Sequence, residues 1–223
     1  DNDRVDYAWN VDENGKVGFT RYAYDDLGNL VYTISGSTRA EVDGITGITP
    51  DNIGSLSADD ISALLGSDMS IAVYDSDRNR IDHVWSRNES GETSFVQYAY
   101  DASGKLLFTI TGDTRAEVES VTAITADNVA SLTETEIASS LHEGMSVAVY
   151  DTDENRIAHV WSRSEQGAVN FTTYHYDSLG KLVYTITGDT RADVEGVTGV
   201  TINNVATLSE SQIDSLLGAG LTI

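Results

Sequence analysis

The sequence predicts an α+β fold built from three tandem copies of a module about 76 residues long. Three features predict it: short motifs recur at a constant offset, apolar and polar residues alternate as in strands, and helix-capping signals follow. Trp9, Trp85 and Trp161 stand 76 positions apart, and 16 of 24 positions are identical between 95–118 and 171–194. No insertion interrupts this register, so the copies are expected to share one architecture.

The repeat defines the predicted domains. Module 1 is expected at 1–74, module 2 at 75–150 and module 3 at 151–223. Module 1 lacks a preceding strand, and the closing strand of module 3 is expected to be truncated, because residues 221–223 match 145–147. No flexible spacer separates the modules, so the last strand of one is expected to lie beside the first strand of the next.

Each module is predicted to be a mainly antiparallel β-sheet in the order β-β-β-α-α-β, with two short helices packed on one face. In the second copy, residues 80–87 alternate between two faces, as a half-buried strand does. Gly104 suits the left-handed position of a tight hairpin turn. Thr114 and Glu117 have the spacing of a capping box at a helix start. The tryptophans, Trp85 among them, are expected in the core.

A second helix in each copy is predicted from a capping residue followed by an apolar stripe. The expected first residues are Ser57, Thr133 and Ser209, and the expected terminating glycines are Gly66, Gly144 and Gly218. Glycine is typical there because it readily adopts the left-handed conformation that closes a helix.

The hairpin turn of the repeat carries a recognisable motif. Residues 24–30 and 176–182 both read Tyr-Asp-x-x-Gly-x-Leu. This motif resembles the hairpin of YD-repeat proteins. Those arrays have a much shorter period and lack helices of the kind predicted here, so the resemblance implies shared turn chemistry rather than kinship.

The charge of the chain restricts its partners. Its 36 acidic residues outnumber 13 basic ones, and the formal net charge is −23. Nucleic acids and anionic membranes are therefore unfavourable partners, because phosphates need Lys and Arg. Cations, basic surfaces or neutral ligands such as glycans are expected instead. The alternative is that the acidity only keeps the protein soluble.

The junctions between modules carry a pattern suited to a hard cation. Their Asp-x-Asp-x-Asn sequences resemble the first five residues of an EF-hand loop, whose oxygen ligands bind Ca²⁺. The predicted metal ligands are Asp75, Asp77, Asn79, Asp151, Asp153 and Asn155. Arg80 and Arg156 occupy the place of the EF-hand turn glycine, and the bidentate Glu is missing. The alternative is an Asx-type turn whose side chains bond their own backbone.

No catalytic motif is present, and the chain is predicted not to be an enzyme. It has no Gly-x-Ser-x-Gly motif, no phosphate-binding Gly-rich loop and no dinucleotide fingerprint. It has no Cys, which excludes thiol catalysis and thiolate metal sites. The four histidines have no metal-binding spacing and are expected to be exposed or half-buried. They are His83, His142, His159 and His175.

Together these features favour a structural or adhesive repeat segment of a secreted or cell-surface protein. The chain is expected to form a rigid rod or a head-to-tail fibre, with Ca²⁺ at the junctions and further copies of itself as partners. Neither nucleic-acid binding nor membrane insertion is expected. The alternative is a multivalent, lectin-like module that binds glycans or surface proteins. Its expected ligand-binding residues are Tyr22, Tyr98 and Tyr174.

Overall fold

The strands of this protein form a continuous sheet. The structure, a computed structural model, describes residues 4–11, 15–75, 79–218 and 220–223. Within these residues, eleven strands make one antiparallel sheet in which spatial order follows sequence order. The prediction of three modules, each with a sheet of its own, is therefore wrong. The α+β class fits only loosely, since short helices accompany the strands.

The described elements are short and recur in a regular order. The strands are β1 (Tyr7–Val11), β2 (Val17–Tyr24), β3 (Leu30–Gly36), β4 (Met69–Asp75), β5 (Arg80–Arg87), β6 (Thr93–Tyr100), β7 (Leu106–Gly112), β8 (Ser146–Asp151), β9 (Arg156–Arg163), β10 (Val169–Tyr176) and β11 (Leu182–Gly188). The α-helices are α1 (Arg39–Gly44), α2 (Ala58–Leu64), α3 (Arg115–Ser120), α4 (Glu134–Ser140), α5 (Arg191–Glu195) and α6 (Glu210–Leu216). The 3-10 helices are Ile53–Ser55, Val129–Ser131 and Val205–Thr207. None of the described helices is long and apolar enough to cross a bilayer.

The sheet is continuous because a hairpin spans each junction of the repeat. β4 pairs with β5 from Met69 opposite Arg87 to Asp75 opposite Arg80. β8 pairs with β9 in the corresponding register. A strand whose backbone groups bond the next copy cannot also be the free edge of a separate sheet. The predicted boundaries at 74/75 and 150/151 fall at these hairpins, and as divisions between domains they stay a prediction.

By compactness the chain divides into two units, and the first comprises Asp1–Tyr98 with Gly112–Val118. Its core lies where the sheet meets the helices. Trp85 is fully buried against Phe95, with their ring centroids 4.7 Å apart. Ile71 of β4 lies opposite Trp85. Each large apolar side chain buried in this way contributes about 1.5–3 kcal/mol to folding, so the first unit depends on contacts across a junction of the repeat.

The second unit comprises Ala99–Thr111 with Glu119–Ile223 and repeats this core. Trp161 and Phe171 are fully buried, and their ring centroids lie 4.5 Å apart. Val147 of β8 takes the place opposite Trp161, and Ile137 supplies the buried residue of α4. The expectation of core tryptophans is therefore confirmed for Trp85 and Trp161. It is wrong for Trp9, which is 72% exposed.

The predicted helix starts are confirmed. Thr38 accepts a hydrogen bond from the backbone N–H of Glu41, whose carboxylate accepts from the backbone N–H of Thr38. This reciprocal arrangement satisfies two amides that have no partner in the first turn. The same box recurs at Ser57, Thr133 and Ser209.

The predicted helix ends are confirmed in position for α2 and α6, since Gly66 and Gly218 each follow the C-cap residue. The expected left-handed conformation is wrong, because neither glycine has a positive φ, and α4 ends at Ser140, before Gly144.

Leu65 and Leu141, which cap α2 and α4, are extended. Arg87 Nη1 donates to the carbonyls of Ser62 and Leu65 at 3.0 and 2.8 Å. Arg163 does the same in the second unit. A guanidinium from the second strand after each of these helices thus satisfies the free carbonyls and complements the helix dipole.

Candidate functional site

The first predicted cation site lies only partly within the described residues. Asp75 is the last residue of β4, and its carbonyl accepts from the backbone N–H of Asn79 at 2.9 Å. Asn79 has a φ of 50°, a left-handed conformation that Asn tolerates better than most residues. Asp77 lies outside the described residues. The structure therefore gives Asn79 a role in closing the turn, which the spacing alone did not indicate.

The second predicted site, at residues 151–155, is an Asx-type turn. One carboxylate oxygen of Asp151 accepts from the backbone N–H groups of Asp153 and Glu154 at 2.9 and 3.3 Å. Asp153 accepts from the ammonium of Lys105 at 3.1 Å. Asn155 closes the turn with a φ of 51°. Both carboxylates already have partners, and in the described part of the chain no three His, Asp or Glu side chains cluster as metal ligands would. Calcium binding stays a prediction.

The predicted aromatic row lies on the face of the sheet away from the helices. Tyr98 follows the buried Phe95 by three positions, and Tyr174 follows Phe171 by the same interval. Successive side chains of a strand alternate, so an odd interval places each tyrosine on the opposite face. Tyr22 is placed in the same way in β2, and all three tyrosines are half-buried. Tyr22 and Tyr98 belong to the first unit and Tyr174 to the second.

In the second unit, Tyr174 and Asp151 line one shallow pocket of about 300 Å³. Arg156 lies over the ring of the neighbouring Tyr176, 4.5 Å from its centroid. His175 stacks on Tyr184, with ring centroids 4.4 Å apart, and burial lowers the pKa of His175. The pocket thus combines aromatic faces with a cation and a carboxylate, which is the chemistry of a polar ligand site.

A contact that the sequence did not reveal joins consecutive copies of the repeat in the second unit. Arg191 Nη1 donates to the carbonyl of Ala130, 61 residues earlier, at 2.9 Å. Its Nε donates to Glu195 at 2.7 Å, and its backbone N–H donates to the carboxylate of Glu134 at 2.6 Å. The guanidinium also lies 5.5 Å from the Phe171 ring centroid. We call this set of contacts the arginine clamp; it borders an open surface depression.

The first unit repeats the carbonyl and ring contacts of the clamp, and Ala58 occupies the place of Glu134. Arg115 Nη1 donates to the carbonyl of Gly54 at 2.8 Å, again across 61 residues, and lies 6.0 Å from the Phe95 centroid. Arg39 occupies the equivalent position in the first copy and, within the described part of the chain, contacts its own copy alone, through Asp43 and the ring of Tyr7. The sequence contained one signal of this role. Arginine in the first turn of a helix opposes the dipole, and yet all three copies have it.

A half-buried histidine lies beside the clamp of the second unit. The ring of His159 packs 5.1 Å from that of Phe171, and its Nε2 is buried without a hydrogen-bond partner. Burial, together with the charge of Arg191, lowers the pKa of His159 to about 4, while Glu195 opposes the shift. His83 is also buried, at 3% exposure, so the expectation of exposed or half-buried histidines is wrong there. His83 Nδ1 instead pairs with Asp82 at 2.7 Å.

Comparison with known proteins gives no assignment. Neither a protein-family model nor a curated protein matches the chain. Among solved structures, it is similar to a chain of the TcdB2-TccC3-Cdc42 crystal structure at 14% identity and a TM-score of 0.29. The corresponding values for TcdB2-TccC3-TEV are 15% and 0.30. Each alignment covers 96% of this chain but 11% of the other, so the chain spans about a tenth of the length of those proteins. At these TM-scores the likeness carries no argument about function.

The clamp predicts unequal effects for equivalent arginines. Arg191→Met removes a charged hydrogen bond and a cation–π contact, and we expect it to lower the free energy of unfolding by about 1–2 kcal/mol. Arg39→Met is the matched control, because Arg39 has an acidic partner and a ring but no carbonyl of a preceding copy. Urea denaturation measures both variants. Equal losses would contradict a role for the clamp in joining copies.

The depressed pKa of His159 predicts a pH dependence with a definite sign. The unfolded chain binds the proton near the usual pKa of 6.5 and the folded chain only near 4. Stability is therefore expected to fall as pH decreases from 6.5 towards 4, by on the order of 1 kcal/mol after allowance for partial exposure. His159→Gln should flatten the slope of unfolding free energy between pH 7 and pH 5. His142→Gln, at an exposed histidine, is the control and should leave the slope unchanged. An unchanged slope in His159→Gln would refute the conclusion that His159 causes this pH dependence.

Proposed function

We propose that the chain is a structural, adhesive repeat segment of a secreted or cell-surface protein, rather than an enzyme. The observation that carries this proposal is the arginine clamp, which occurs at equivalent positions in the two units. The Thr-Arg-Ala motif recurs in every copy, and in two copies its arginine connects to the preceding copy. A motif repeated to join copies is expected of a scaffold, whereas an active site needs only one diverged copy.

The junction hairpins support the same proposal. Seven residues of β4 pair with β5 across the first junction, and six residues of β8 pair with β9 across the second. In the second junction, Asp151 accepts from two backbone N–H groups of a tight turn that left-handed Asn155 closes. Force or shear along the chain would therefore act on hydrogen-bonded strands rather than on a flexible linker. The expectation of a stiff rod or head-to-tail fibre belongs to this proposal.

The surface chemistry also agrees with an extracellular scaffold. A net charge of −23 favours a well-solvated surface and repulsion from anionic polymers. The absence of Cys makes the fold independent of the redox state of its surroundings. We retain Ca²⁺ as the proposed ligand of the junction turns. Binding there requires Asp153 to exchange Lys105 for the metal ion, so the affinity is expected to be low.

A second candidate function is suggested by the Tyr174 pocket. Its aromatic faces beside Arg156 and Asp151 suit a glycan or a polar peptide, and binding would then be the lectin-like alternative. This pocket involves one predicted tyrosine, whereas the arginine contacts recur in both units, so this candidate is weaker than the scaffold.

Small-angle scattering tests the scaffold proposal. A compact globule of this length has a radius of gyration of about 17 Å; we expect a clearly larger value and a rod-like distance distribution. Adding about 5 mM CaCl₂ should leave a rod or extend it, and titration calorimetry should give heat that Asp153→Asn removes. Asp127→Asn, an exposed aspartate outside the turns, is the control. A compact particle would contradict the proposed rod. Absence of heat would contradict calcium binding at the junction turns but not the scaffold.

Glycan-array binding distinguishes the second candidate. The lectin-like function predicts saturable binding that Tyr174→Ala weakens at least about tenfold. Tyr22→Ala is the matched control, since Tyr22 occupies the same place in a strand of the other unit. If the wild-type chain binds no glycan, the scaffold remains as the proposal.

A further inference from the structure

His83 and His159 occupy equivalent positions of the repeat and lie against equivalent phenylalanines. The ring centroid of His83 lies 5.1 Å from that of Phe95, and the same distance separates His159 from Phe171. In both histidines Nε2 is buried and has no hydrogen-bond partner among the described residues. Because a protonated imidazole carries a donor at both nitrogens, a positive charge on either ring would bury a donor without an acceptor.

The phenylalanine that each histidine contacts also contacts an arginine. The guanidinium of Arg191 lies 5.5 Å from the ring centroid of Phe171. The guanidinium of Arg115 lies 6.0 Å from that of Phe95. In the second unit, His159 and Arg191 thus share one ring, and the charge of Arg191 disfavours a positive charge on His159. Protonation of this histidine and closure of the arginine clamp therefore oppose each other.

The two units differ at the residue that precedes the histidine. In the first unit, Oδ2 of Asp82 lies 2.7 Å from Nδ1 of His83. The hydrogen bond with His83 is the main cause that lowers the pKa of Asp82, so this carboxylate is charged at mildly acidic pH and can balance a protonated His83. In the second unit, Ala158 occupies the equivalent position before His159 and offers no charge.

On the two strands paired with β9, the residues opposite His159 are uncharged. They are Val149 of β8 and Thr173 of β10. His175 lies two positions beyond Thr173, and its Nε2 is 3.1 Å from the hydroxyl oxygen of that threonine. Burial lowers the pKa of His175, which favours its neutral form. These strand positions therefore supply no carboxylate that could replace the one provided by Asp82 in the first unit.

The acidic groups of α4 and α5 are already engaged. Glu195 accepts from Arg191 Nε at 2.7 Å, and Glu134 accepts from the backbone N–H of Arg191 at 2.6 Å. The other two carboxylates of these helices accept from capping threonines; they are Glu136 and Asp193. Glu195 opposes the decrease in the pKa of His159, but burial and Arg191 still lower that pKa to about 4. The closed clamp therefore excludes a proton that a solvated histidine would bind.

We propose that the arginine clamp of the second unit is an acid-sensitive joint that opens when His159 is protonated, whereas Asp82 keeps the equivalent contacts of the first unit closed. Opening takes Arg191 away from Phe171 and from the carbonyl of Ala130, which exposes the His159 ring to water. α5 then separates from the preceding copy while the strands stay paired. This inference goes beyond the proposed function and does not depend on it, because it concerns contacts within each unit.

Hydrogen exchange at two matched amides tests the proposal. The backbone N–H of Val194 donates to Thr190 at 3.3 Å, and that of Val118 donates to Thr114 at 3.2 Å. Since the histidine has a pKa of about 4 in the closed clamp and 6.5 in water, the open state gains about thirtyfold in population between neutral pH and pH 5. After correction for intrinsic exchange rates and partial exposure, protection should fall at least about tenfold at Val194 and less than about twofold at Val118.

Exchanging the residue before each histidine gives reciprocal variants. Ala158→Asp supplies the missing carboxylate and should keep the protection of Val194 at pH 5 within about twofold of its value at neutral pH. Asp82→Ala removes the existing carboxylate and should make Val118 lose protection at least about fivefold at pH 5. His159→Gln removes the titrating group and should leave Val194 equally protected at both pH values. If Ala158→Asp does not fold, the other two variants decide by the same criteria.

The outcomes distinguish a local joint from general acid unfolding. Loss of protection at Val194 but not at Val118, reversed by Ala158→Asp, supports the joint. Equal loss at both amides, or no loss at either, overturns it. Trp161 is paired on both sides in β9, so its amide reports the stability of the second unit as a whole. If it loses as much protection as Val194, acid unfolds the unit and the local joint is overturned, while scattering at neutral pH still tests the scaffold independently.

Discussion

The structure depends on antiparallel pairing across the junction turns. Once Asn155 closes the turn in a left-handed conformation, the register of β8 and β9 is determined, and Val147 lies opposite Trp161. The tryptophan then packs on Phe171 of the next strand. The core is thus formed by residues from both sides of the repeat boundary. A copy separated from its neighbour would expose this apolar surface, as Trp9 does.

The few cations of this acidic chain are concentrated in its internal contacts. Arg87 and Arg163 satisfy carbonyls at helix ends, and Arg115 and Arg191 join consecutive copies. The guanidinium suits both tasks because it presents several donors in a rigid plane and also stacks on aromatic rings. Replacement by Lys would keep the charge and lose this geometry. The remaining surface is dominated by carboxylates.

Many of these carboxylates are held in their charged form by local hydrogen bonds. Ser57 lowers the pKa of Asp60 at a helix start, and Ser103 with the backbone of Lys105 lowers the pKa of Asp101 in a hairpin turn. The Asp and Glu residues of this chain therefore stabilise turns and helix caps as well as keeping the protein soluble. In the second junction, one carboxylate oxygen of Asp151 also stabilises a turn, because it accepts from two backbone N–H groups. Local backbone chemistry accounts for the pattern that resembles a cation loop, and a metal ion would have to compete with it.

Local elements followed from the sequence because their causes are local. The strand at Arg80–Arg87 and the capping boxes at Thr38 and Ser57 depend on residues a few positions apart, and the structure has them where the pattern predicts. The candidate site was predictable only as a set of turns and a row of tyrosines. Asn79 and Asn155 close those turns through their backbone conformation. The Asp-x-Asp-x-Asn pattern also occurs in metal-binding loops, so the pattern alone does not reveal this conformation.

The sequence by itself determined the repeat, its strands, its helix starts and its charge, since each depends on short-range spacing or composition. The sequence also predicted that strands lie side by side across each junction, and the pairing of β4 with β5 and of β8 with β9 confirms it. Only the tertiary structure decided that all eleven described strands form one sheet, that Arg191 reaches Ala130, and that Trp9 differs from Trp161. The physical reason is that these outcomes depend on contacts in space, between residues 61 positions apart in the sequence or at the edge of the sheet. The sequence of near-identical copies does not show whether a neighbouring strand or helix covers a given residue.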